Sequence, residues 1–164
     1  MKTLLLVRHA KSSWAEPRQR DEDRPLNGRG ERDAPAIGHR LAVRGVRPDA
    51  IVASPARRAR DTALLLAGAL GLPAGVIRLE PRIYEADAER LLEVVRETPG
   101  TAGMLLLVGH NPGLSELAHE LIPDFGEELP TCGVVAVDLP VPAWSRVRPG
   151  AGSVAWLASP RRWS

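Results

Sequence analysis

Apolar residues along the chain alternate between short unbroken runs and runs with helical spacing. Thr3 to Val7 forms the first short run, and its lack of polar alternation is typical of a strand buried on both faces. A helical pattern follows from about Asn27 to Val43, and Gly45 and Pro48 end it. Pro35 inside this pattern removes a backbone donor, so we expect a kink or a late helix start there.

The same alternation continues along the rest of the sequence. Further strands are predicted at residues 50–53, 76–79, 104–108, 134–139 and 154–158. Helices are predicted from a Ser54 N-cap with Pro55 at the first helical position to Gly71, from Asp87 to about Glu97, and from Asn111-Pro112 to Pro123. No helical pattern separates the last two strands, so we expect them to pair antiparallel.

Strands that alternate with helices predict a parallel-centred sheet covered on both faces. The expected fold class is α/β, a three-layer α/β/α sandwich whose sheet is mostly parallel with an antiparallel edge strand. A length of 164 residues is the size of one domain, so residues 1–164 are interpreted as a single domain.

Polar side chains follow four of the predicted strands. The clusters are Arg8-His9, residues 54–58 with Arg57-Arg58, Tyr84-Glu85, and residues 109–112 with His110. Ligands of such sheets bind beyond the carboxyl ends of the strands, so these side chains are expected to converge on one rim. Each cluster alone also fits an ordinary solvated surface, and for Glu85 a plain surface acid is an equally good interpretation.

Arg57 and Arg58 stand in the first turn of a predicted helix, where cations oppose the helix dipole at a cost of about 0.3–1 kcal/mol each. Asp61 offsets part of this cost. An anion at the same place would reverse the penalty, because amide donors, dipole and guanidinium all favour it. The pattern therefore predicts a site for a dianion, most plausibly phosphate.

Composition removes several other classes of function. The chain has 22 basic and 20 acidic residues and only 4% aromatics, so a dedicated nucleic-acid binder is not expected. The single cysteine, Cys132, rules out an internal disulfide and a cysteine zinc cage and is expected in the core. Neither a phosphate-loop motif nor an H-E-x-x-H motif occurs, so no metal and no cofactor are expected.

The remaining features favour a soluble protein of the cytoplasm without a membrane partner. The longest helical apolar stretch, residues 63–72, is too short to cross a bilayer, and no targeting segment is evident. The charge-dense segment 16–24 is interpreted as an exposed loop. His39 and His119 are expected to be ordinary surface or capping residues, and Trp14 and Trp156 are expected to pack against other residues.

Five motifs stand out along the chain: "LLLVRHAKSSW", "PLNGRGERDA", "VASPARRARDTA", "IYEA" and "LLLVGHNPGLSELA". In these motifs and in their order the chain resembles the histidine phosphatase superfamily, which includes the phosphoglycerate mutases, and within it the small phosphohistidine phosphatases of the SixA type. The motifs cover most of the first 120 residues and are highly specific together, whereas Arg-His alone is not.

The resemblance implies roles for the rim residues. His9 would be the nucleophile that becomes phosphorylated, and Arg8, Arg58 and His110 would hold the phosphoryl oxygens. Arg58 is preferred over Arg57 because the family's arginine lies four residues after its serine. Glu85 is a candidate on physical grounds rather than from the resemblance: a carboxylic acid at the same rim can protonate an alkoxide leaving group and later activate water.

One departure from the family concerns the residues after the nucleophile. The family's usual Gly-acid pair is replaced here by Ala10-Lys11, which reverses the charge. Lys11 together with Ser12 or Ser13 is a candidate extension of the anion pocket.

The sequence therefore predicts a metal-independent phosphatase that works through a phosphohistidine on His9, with a phosphorylated protein, carrying phosphohistidine, or a small phosphorylated compound as its partner. Only short connections follow Ile122, which leaves little chain for a cap and favours an open site. A small-molecule phosphoesterase or mutase stays open as an alternative, and so does a non-catalytic module that binds phosphate or nucleic acid.

Overall fold

The computed structural model describes residues 1–163, except for the side chains of residues 162 and 163. Its strands are β1 (Lys2–Arg8), β2 (Ala50–Ala53), β3 (Ile77–Leu79), β4 (Met104–Gly109), β5 (Val134–Leu139), β6 (Ser153–Ser159) and β7 (Arg162–Trp163). Its α-helices are α1 (Gly28–Val43), α2 (Arg57–Ala69), α3 (Ala88–Arg96) and α4 (Gly113–Leu121). Short 3₁₀ turns, including Asp21–Asp23, connect some of these elements.

All seven strands form one sheet in the order β3-β2-β4-β1-β5-β6-β7. The first four of these run parallel, and β5, β6 and β7 continue the sheet with antiparallel pairs. The predicted mostly parallel sheet is thus confirmed, and so is the antiparallel pairing of β5 with β6. The antiparallel edge is wider than expected, because it includes β7, which the sequence pattern did not predict.

The two faces of the sheet carry separate cores. Leu4, Leu6, Leu105 and Leu107 pack with α3 and α4 on one face. The intervening residues of the same strands pack with α1 and α2 on the other face. This is the predicted three-layer α/β/α sandwich, and it explains why β1 has no polar alternation: both of its faces are buried.

The start of α2 differs from the prediction. Ser54 does not cap the helix; Ala56 is the N-cap residue with an extended backbone, and the helix begins at Arg57. The Ser54 hydroxyl instead accepts a hydrogen bond from the Ala56 backbone N–H at 3.2 Å. The predicted helix began at Pro55, so Arg57 and Arg58 were expected as its third and fourth residues. In the structure they are its first and second residues and still stand in the first turn.

Of the two effects expected from Pro35, the late start of the first helix is wrong, and the kink stays a prediction. Asn27 caps α1 by accepting a hydrogen bond from the Gly30 N–H at 2.9 Å, and the helix continues through Pro35. Proline removes one backbone donor there, and the well-capped, amphipathic helix tolerates this loss.

None of the helices in the described part of the chain is long and apolar enough to cross a membrane. Cys132 is buried in the core, as expected. The cytoplasmic location and the interpretation of the chain as one domain stay predictions.

Candidate active site

The register of the central strands brings two histidines together. Arg8, the last residue of β1, lies opposite Gly109, the last residue of β4, so His9 and His110 follow at the same edge of the sheet. Their ring centroids are 5.1 Å apart. The His9 backbone is fixed on both sides, since its N–H donates to the Gly109 carbonyl at 3.1 Å and its carbonyl accepts from the Cys132 N–H at 3.1 Å.

The loop that follows His9 is held by the two helices of one face. The Ala10 N–H donates to the Thr62 hydroxyl at 3.0 Å, and that hydroxyl donates to the Arg58 carbonyl at 2.7 Å. Gly30 at the start of α1 lies so close to the Lys11 backbone that an added Cβ would stand 2.2 Å from the Lys11 oxygen. Gly30, the second glycine of the "PLNGRG" motif, is therefore needed for this close approach.

The His9 imidazole is oriented by its own loop. Its Nδ1 lies 2.8 Å from the Ala10 carbonyl oxygen. A carbonyl only accepts, so Nδ1 carries the proton and Nε2 keeps its lone pair. The ring is thus a neutral tautomer with a nucleophilic nitrogen, at the end of a rigid buried strand.

Burial keeps this imidazole neutral. His9 is 8% exposed, and burial, aided by the charges of Arg58, Arg8 and Arg24, lowers its pKa from 6.5 to about 4. The hydrogen bond to Ala10 acts in the opposite direction and is outweighed. A neutral imidazole is the form that can attack an electrophile.

We expect NMR titration to find His9 uncharged far below the ordinary histidine range. Because its pKa is lowered, the ring stays neutral as pH falls through 6.5 and gains its proton only near pH 4. The measurement follows the His9 ring carbon and proton shifts from pH 8 to pH 3.5 in the free enzyme, with His9→Asn used to assign the signals. A midpoint near 6.5 would contradict this account of the site.

His110 is arranged to donate a hydrogen bond. Its Nε2 lies 2.8 Å from the Ser54 hydroxyl, which already accepts from Ala56. If the hydroxyl gives its own proton to Nε2, the ring proton stays on Nδ1. Burial lowers the pKa of His110 to about 3, and the charges of Arg58, of Arg8 and of His9 once it is protonated act in the same direction, so this ring is also neutral near pH 7. Tyr84 packs edge-on against it with centroids 5.6 Å apart.

Two buried side-chain nitrogens have no hydrogen-bond partner among the described residues, and both belong to this rim. They are His110 Nδ1 and Arg8 Nε. Arg8 is otherwise held by a hydrogen bond from its Nη1 to the Leu129 carbonyl at 3.1 Å. Buried polar atoms are almost always paired, so two unpaired nitrogens at one site indicate an acceptor that arrives with a ligand.

The neighbouring arginines of α2 differ sharply in their surroundings. Arg58 is 7% exposed and its guanidinium bonds to Asp21, while Arg57 is exposed and pairs with Asp61 on the same helix. Of the two, only Arg58 is buried in the group that surrounds His9. This matches the choice made from the motif spacing, whereas its role in binding phosphate stays a prediction.

Glu85 lies at the mouth of the site. It is exposed and lines an open cleft of about 360 Å³ that His110, Asn111 and Glu116 also line. Its backbone has φ of 56°, in the left-handed region. The turn is pressed against α4, since a Cβ on Gly113 would stand 2.1 Å from the Ala86 oxygen. Glu85 thus lies in the same cleft as His110, and its role as an acid stays a prediction.

The segment 16–24 is mostly exposed, as predicted, but its last residue, Arg24, is buried. Arg24 is 7% exposed; its Nη2 donates to the Ser12 hydroxyl at 2.5 Å and its Nη1 to Asp21 at 3.1 Å. Ser12 is thereby occupied, and the Lys11 side chain is exposed. Trp14, expected to pack in the fold, is 72% exposed, and its ring is covered only by the Arg24 guanidinium at 3.3 Å.

Sequence reasoning did not assign a role at the site to four of its residues: Asp21, Arg24, Ser54 and Thr62. The motif strings contain two of them, Ser54 and Thr62, and Arg24 directly precedes "PLNGRGERDA", so the positions of these three carried a signal. Asp21 precedes "RPLNGRG" by three residues and had no signal of its own. The described residues contain no group of three or more His, Cys, Asp or Glu side chains arranged to hold a metal ion.

The structure thus brings the guanidiniums of Arg8 and Arg58 and the neutral rings of His9 and His110 together at one edge of the sheet. The chain belongs to the histidine phosphatase superfamily (branch 1), whose family model matches residues 4–97. An uncharacterized protein of Mycobacterium tuberculosis is 32% identical over 165 residues, which cover 94% of this chain and 100% of that protein.

Solved structures agree with this assignment. A structure described as a phosphohistidine phosphatase SixA from Agrobacterium tumefaciens has a TM-score of 0.81 and 27% identity, and the match covers 96% of this chain and 97% of that one. Another with the same description, from Nakamurella multipartitia, has a TM-score of 0.81 and 26% identity, with coverage of 98% and 97%. The chain is a SixA-type member of the superfamily with a phosphoglycerate mutase-like fold.

Proposed function

We propose that the protein is a phosphatase that transfers a phosphoryl group to His9 and then to water, without a metal, and that its substrate is a protein phosphohistidine. The observation that carries the proposal is the orientation of the His9 ring. Its Nδ1 donates to the Ala10 carbonyl, so its Nε2 keeps a lone pair, close to the positive charges of Arg8 and Arg58. The superfamily membership supports a phosphatase as the class of enzyme.

In the first step, His9 Nε2 attacks phosphorus and the bond from phosphorus to the leaving atom breaks, with the electron pair going to the leaving group. The transition state spreads negative charge over three equatorial oxygens, and catalysis then depends on positioning and on fixed positive charge. Arg8, Arg58 and the Nδ1–H of His110 would supply these contacts, and the unpaired nitrogens of Arg8 and His110 are the donors that remain available for them.

In the second step, a water oxygen attacks phosphorus and the bond to Nε2 breaks, which returns the electron pair to His9 and releases phosphate. The water must lose a proton, and Glu85 at the mouth of the cleft is the proposed acceptor. The Ala10 carbonyl stabilises positive charge on the phosphorylated ring through the Nδ1–H.

The shape of the site favours a large substrate. The connection between α4 and β5, residues 122–133, forms no helix or strand, and it contributes the Leu129 carbonyl that holds Arg8. The cleft beside His110 is open to solvent, which suits a phosphorylated side chain presented by another protein. The likeness to structures described as phosphohistidine phosphatases supports the same choice.

A small-molecule phosphoesterase is the second candidate, because the open cleft of about 360 Å³ also has room for a compact leaving group. The deciding experiment compares kcat/KM for a set of phosphohistidine proteins with that for a panel of small phosphoesters, with EDTA present. We expect turnover of both in EDTA and a preference for phosphohistidine. A wide preference for alkyl phosphates would assign the second function, and no turnover at all would leave a phosphate-binding module.

Glu85→Gln is expected to separate the two substrate classes. An alkyl phosphate leaves as an alkoxide and needs a proton, whereas a phosphohistidine with a protonated second ring nitrogen leaves as neutral imidazole. General acid catalysis typically contributes about 10²–10⁴, so the variant should lose kcat/KM in that range on alkyl phosphates and little on phosphohistidine. Steady-state kinetics on both substrates measures this.

The control for this comparison is Glu116→Gln, which removes a second carboxylate from the same cleft and should leave both activities near the wild type. Equal losses on both substrates in Glu85→Gln would assign Glu85 a positioning role. No loss on either substrate would make it the ordinary surface acid of the simpler interpretation.

A further inference from the structure

A single carboxylate joins three segments around the site. Asp21 begins the 3₁₀ turn Asp21–Asp23, and its side chain accepts hydrogen bonds from the loop after β3 and from α2 as well as from its own loop. Its Oδ2 accepts from Arg58 Nη2 at 2.9 Å and from the Tyr84 hydroxyl at 2.5 Å, and its Oδ1 accepts from Arg24 Nη1 at 3.1 Å.

Arg58 is held by Asp21 in two places. Besides the carboxylate contact, Arg58 Nη1 donates to the Asp21 backbone carbonyl at 2.7 Å. These two bonds fix the plane of a guanidinium whose side chain is only 8% exposed. A guanidinium has five N–H donors, so three remain for phosphoryl oxygens after Asp21 has taken two.

The same carboxylate acts on the opposite side of the site through Tyr84. The Tyr84 ring packs edge-on against His110, so the hydroxyl bond to Asp21 also fixes the ring that supports His110. The hydrogen bonds from Tyr84, Arg58 and Arg24 hold the pKa of Asp21 well below its usual range. Asp21 is therefore a carboxylate throughout the working pH range.

An incoming phosphate would not readily replace this carboxylate. The Asp21 side chain is 47% exposed, so it is held by the number of its partners rather than by burial: three side chains donate to its carboxylate, and its backbone carbonyl accepts from Arg58 as well. We therefore expect Asp21 to stay bound to Arg58 when the substrate arrives.

We infer that Asp21 is a positioning residue for phosphoryl transfer, which fixes Arg58 and Tyr84 relative to His9 and His110 before the substrate binds. This inference rests on the proposed phosphatase function. Asp21 touches neither the nucleophile nor the substrate in this account; it acts through the guanidinium and the phenol that it holds.

Asp21→Ala and Asp21→Asn test this role in activity. A small misplacement of a group that contacts the reacting phosphoryl costs up to about 10²-fold, so we expect Asp21→Ala to lose about 10- to 10²-fold in kcat/KM and Asp21→Asn, which keeps one acceptor, to lose less. Asp23→Asn is the matched control, because Asp23 ends the same turn and pairs only with the exposed Arg20 at 3.4 Å. It should keep wild-type activity.

Coupling to Arg58 separates positioning from a general effect on folding. In an Arg58→Ala background, Asp21→Ala should cost clearly less than in the wild type, because one of the two groups that it positions is already absent and only the contact with Tyr84 remains to be lost. Fully additive losses would overturn the inference. So would an Asp21→Ala variant with wild-type or higher activity, or one that binds inorganic phosphate more tightly by calorimetry, since Asp21 would then compete with the ligand.

A measurement independent of turnover keeps this test apart from the proposed function. NMR of the Arg58 guanidinium nitrogens should give resolved, slowly rotating Nη signals in the wild type and in Asp23→Asn, and these should merge in Asp21→Ala and Asp21→Asn. Unchanged Arg58 signals in both Asp21 variants would overturn the inference. An inactive wild-type enzyme with the expected NMR result would instead reject the phosphatase proposal and leave the positioning role intact.

Discussion

His9→Ala is expected to reduce turnover of every phosphorylated substrate to the background rate. The substitution removes the only nitrogen lone pair that the site presents beneath its cationic rim, and loss of a catalytic nucleophile typically costs about 10⁴–10⁶ in kcat. Steady-state kinetics with phosphohistidine protein and para-nitrophenyl phosphate measures the effect. The fold should survive, because the backbone bonds of residue 9 do not involve its ring.

His39→Ala provides the matched histidine control, since His39 is exposed on α1, away from the strand ends, and should be dispensable. Circular dichroism and the melting temperature establish that both variants are folded. A folded His9→Ala enzyme that keeps substantial activity would remove the proposed mechanism, because the other histidine of the site has no equivalent lone pair in this account: the Nε2 of His110 faces Ser54, and its unpaired Nδ1 is assigned the ring proton.

Arg58→Ala is expected to lose about 10²–10³ in kcat, the usual effect of removing a preorganised charged contact from a transition state. Arg57→Ala should stay within about threefold of the wild type, because an exposed pair such as Arg57–Asp61 contributes little. The two arginines are adjacent in sequence and in the same helical turn, so the comparison holds charge, helix and length constant.

Arg58→Lys extends the comparison. It keeps the positive charge and replaces the planar fork with a point charge, which cannot bond to Asp21 and a phosphoryl oxygen in the same geometry. We expect an activity between that of Arg58→Ala and that of the wild type. Small and equal losses for Arg57→Ala and Arg58→Ala, measured on folded proteins, would mean that this part of α2 is only a solvated basic surface.

Much of the fold could be predicted because its signals are local. The unbroken apolar run of β1 reflects burial on both faces, and Asn27 and Asp87 cap their helices with the backbone contacts that such residues make in general. The strand ends then had to meet at one edge, since parallel strands in one sheet share that edge. The strand ends alone therefore predict that Arg8, His9, the Arg57-Arg58 pair and His110 lie in one region, and the resemblance to the family selects Arg58 from the pair.

The features that were missed depend on contacts between distant segments. Ser54 before a proline has the appearance of an N-cap, and its contact with His110, 56 residues later, leaves no local trace. Asp21 stands among charges that resemble any solvated loop, although it bonds to Arg58 across 37 residues. Trp14 gives the same apolar signal whether it is buried or lies exposed over Arg24.

The most direct test of the central claim is to trap the phosphorylated enzyme. Wild-type protein is mixed with labelled phosphohistidine protein, quenched in base within the first turnover, and the label is located by peptide mapping. We predict a phosphoryl group on His9 that survives alkali and is lost in acid, as expected of a phosphohistidine, and none in His9→Ala. Label on His110 or an acid-stable label on Ser12 or Ser13 would contradict the account.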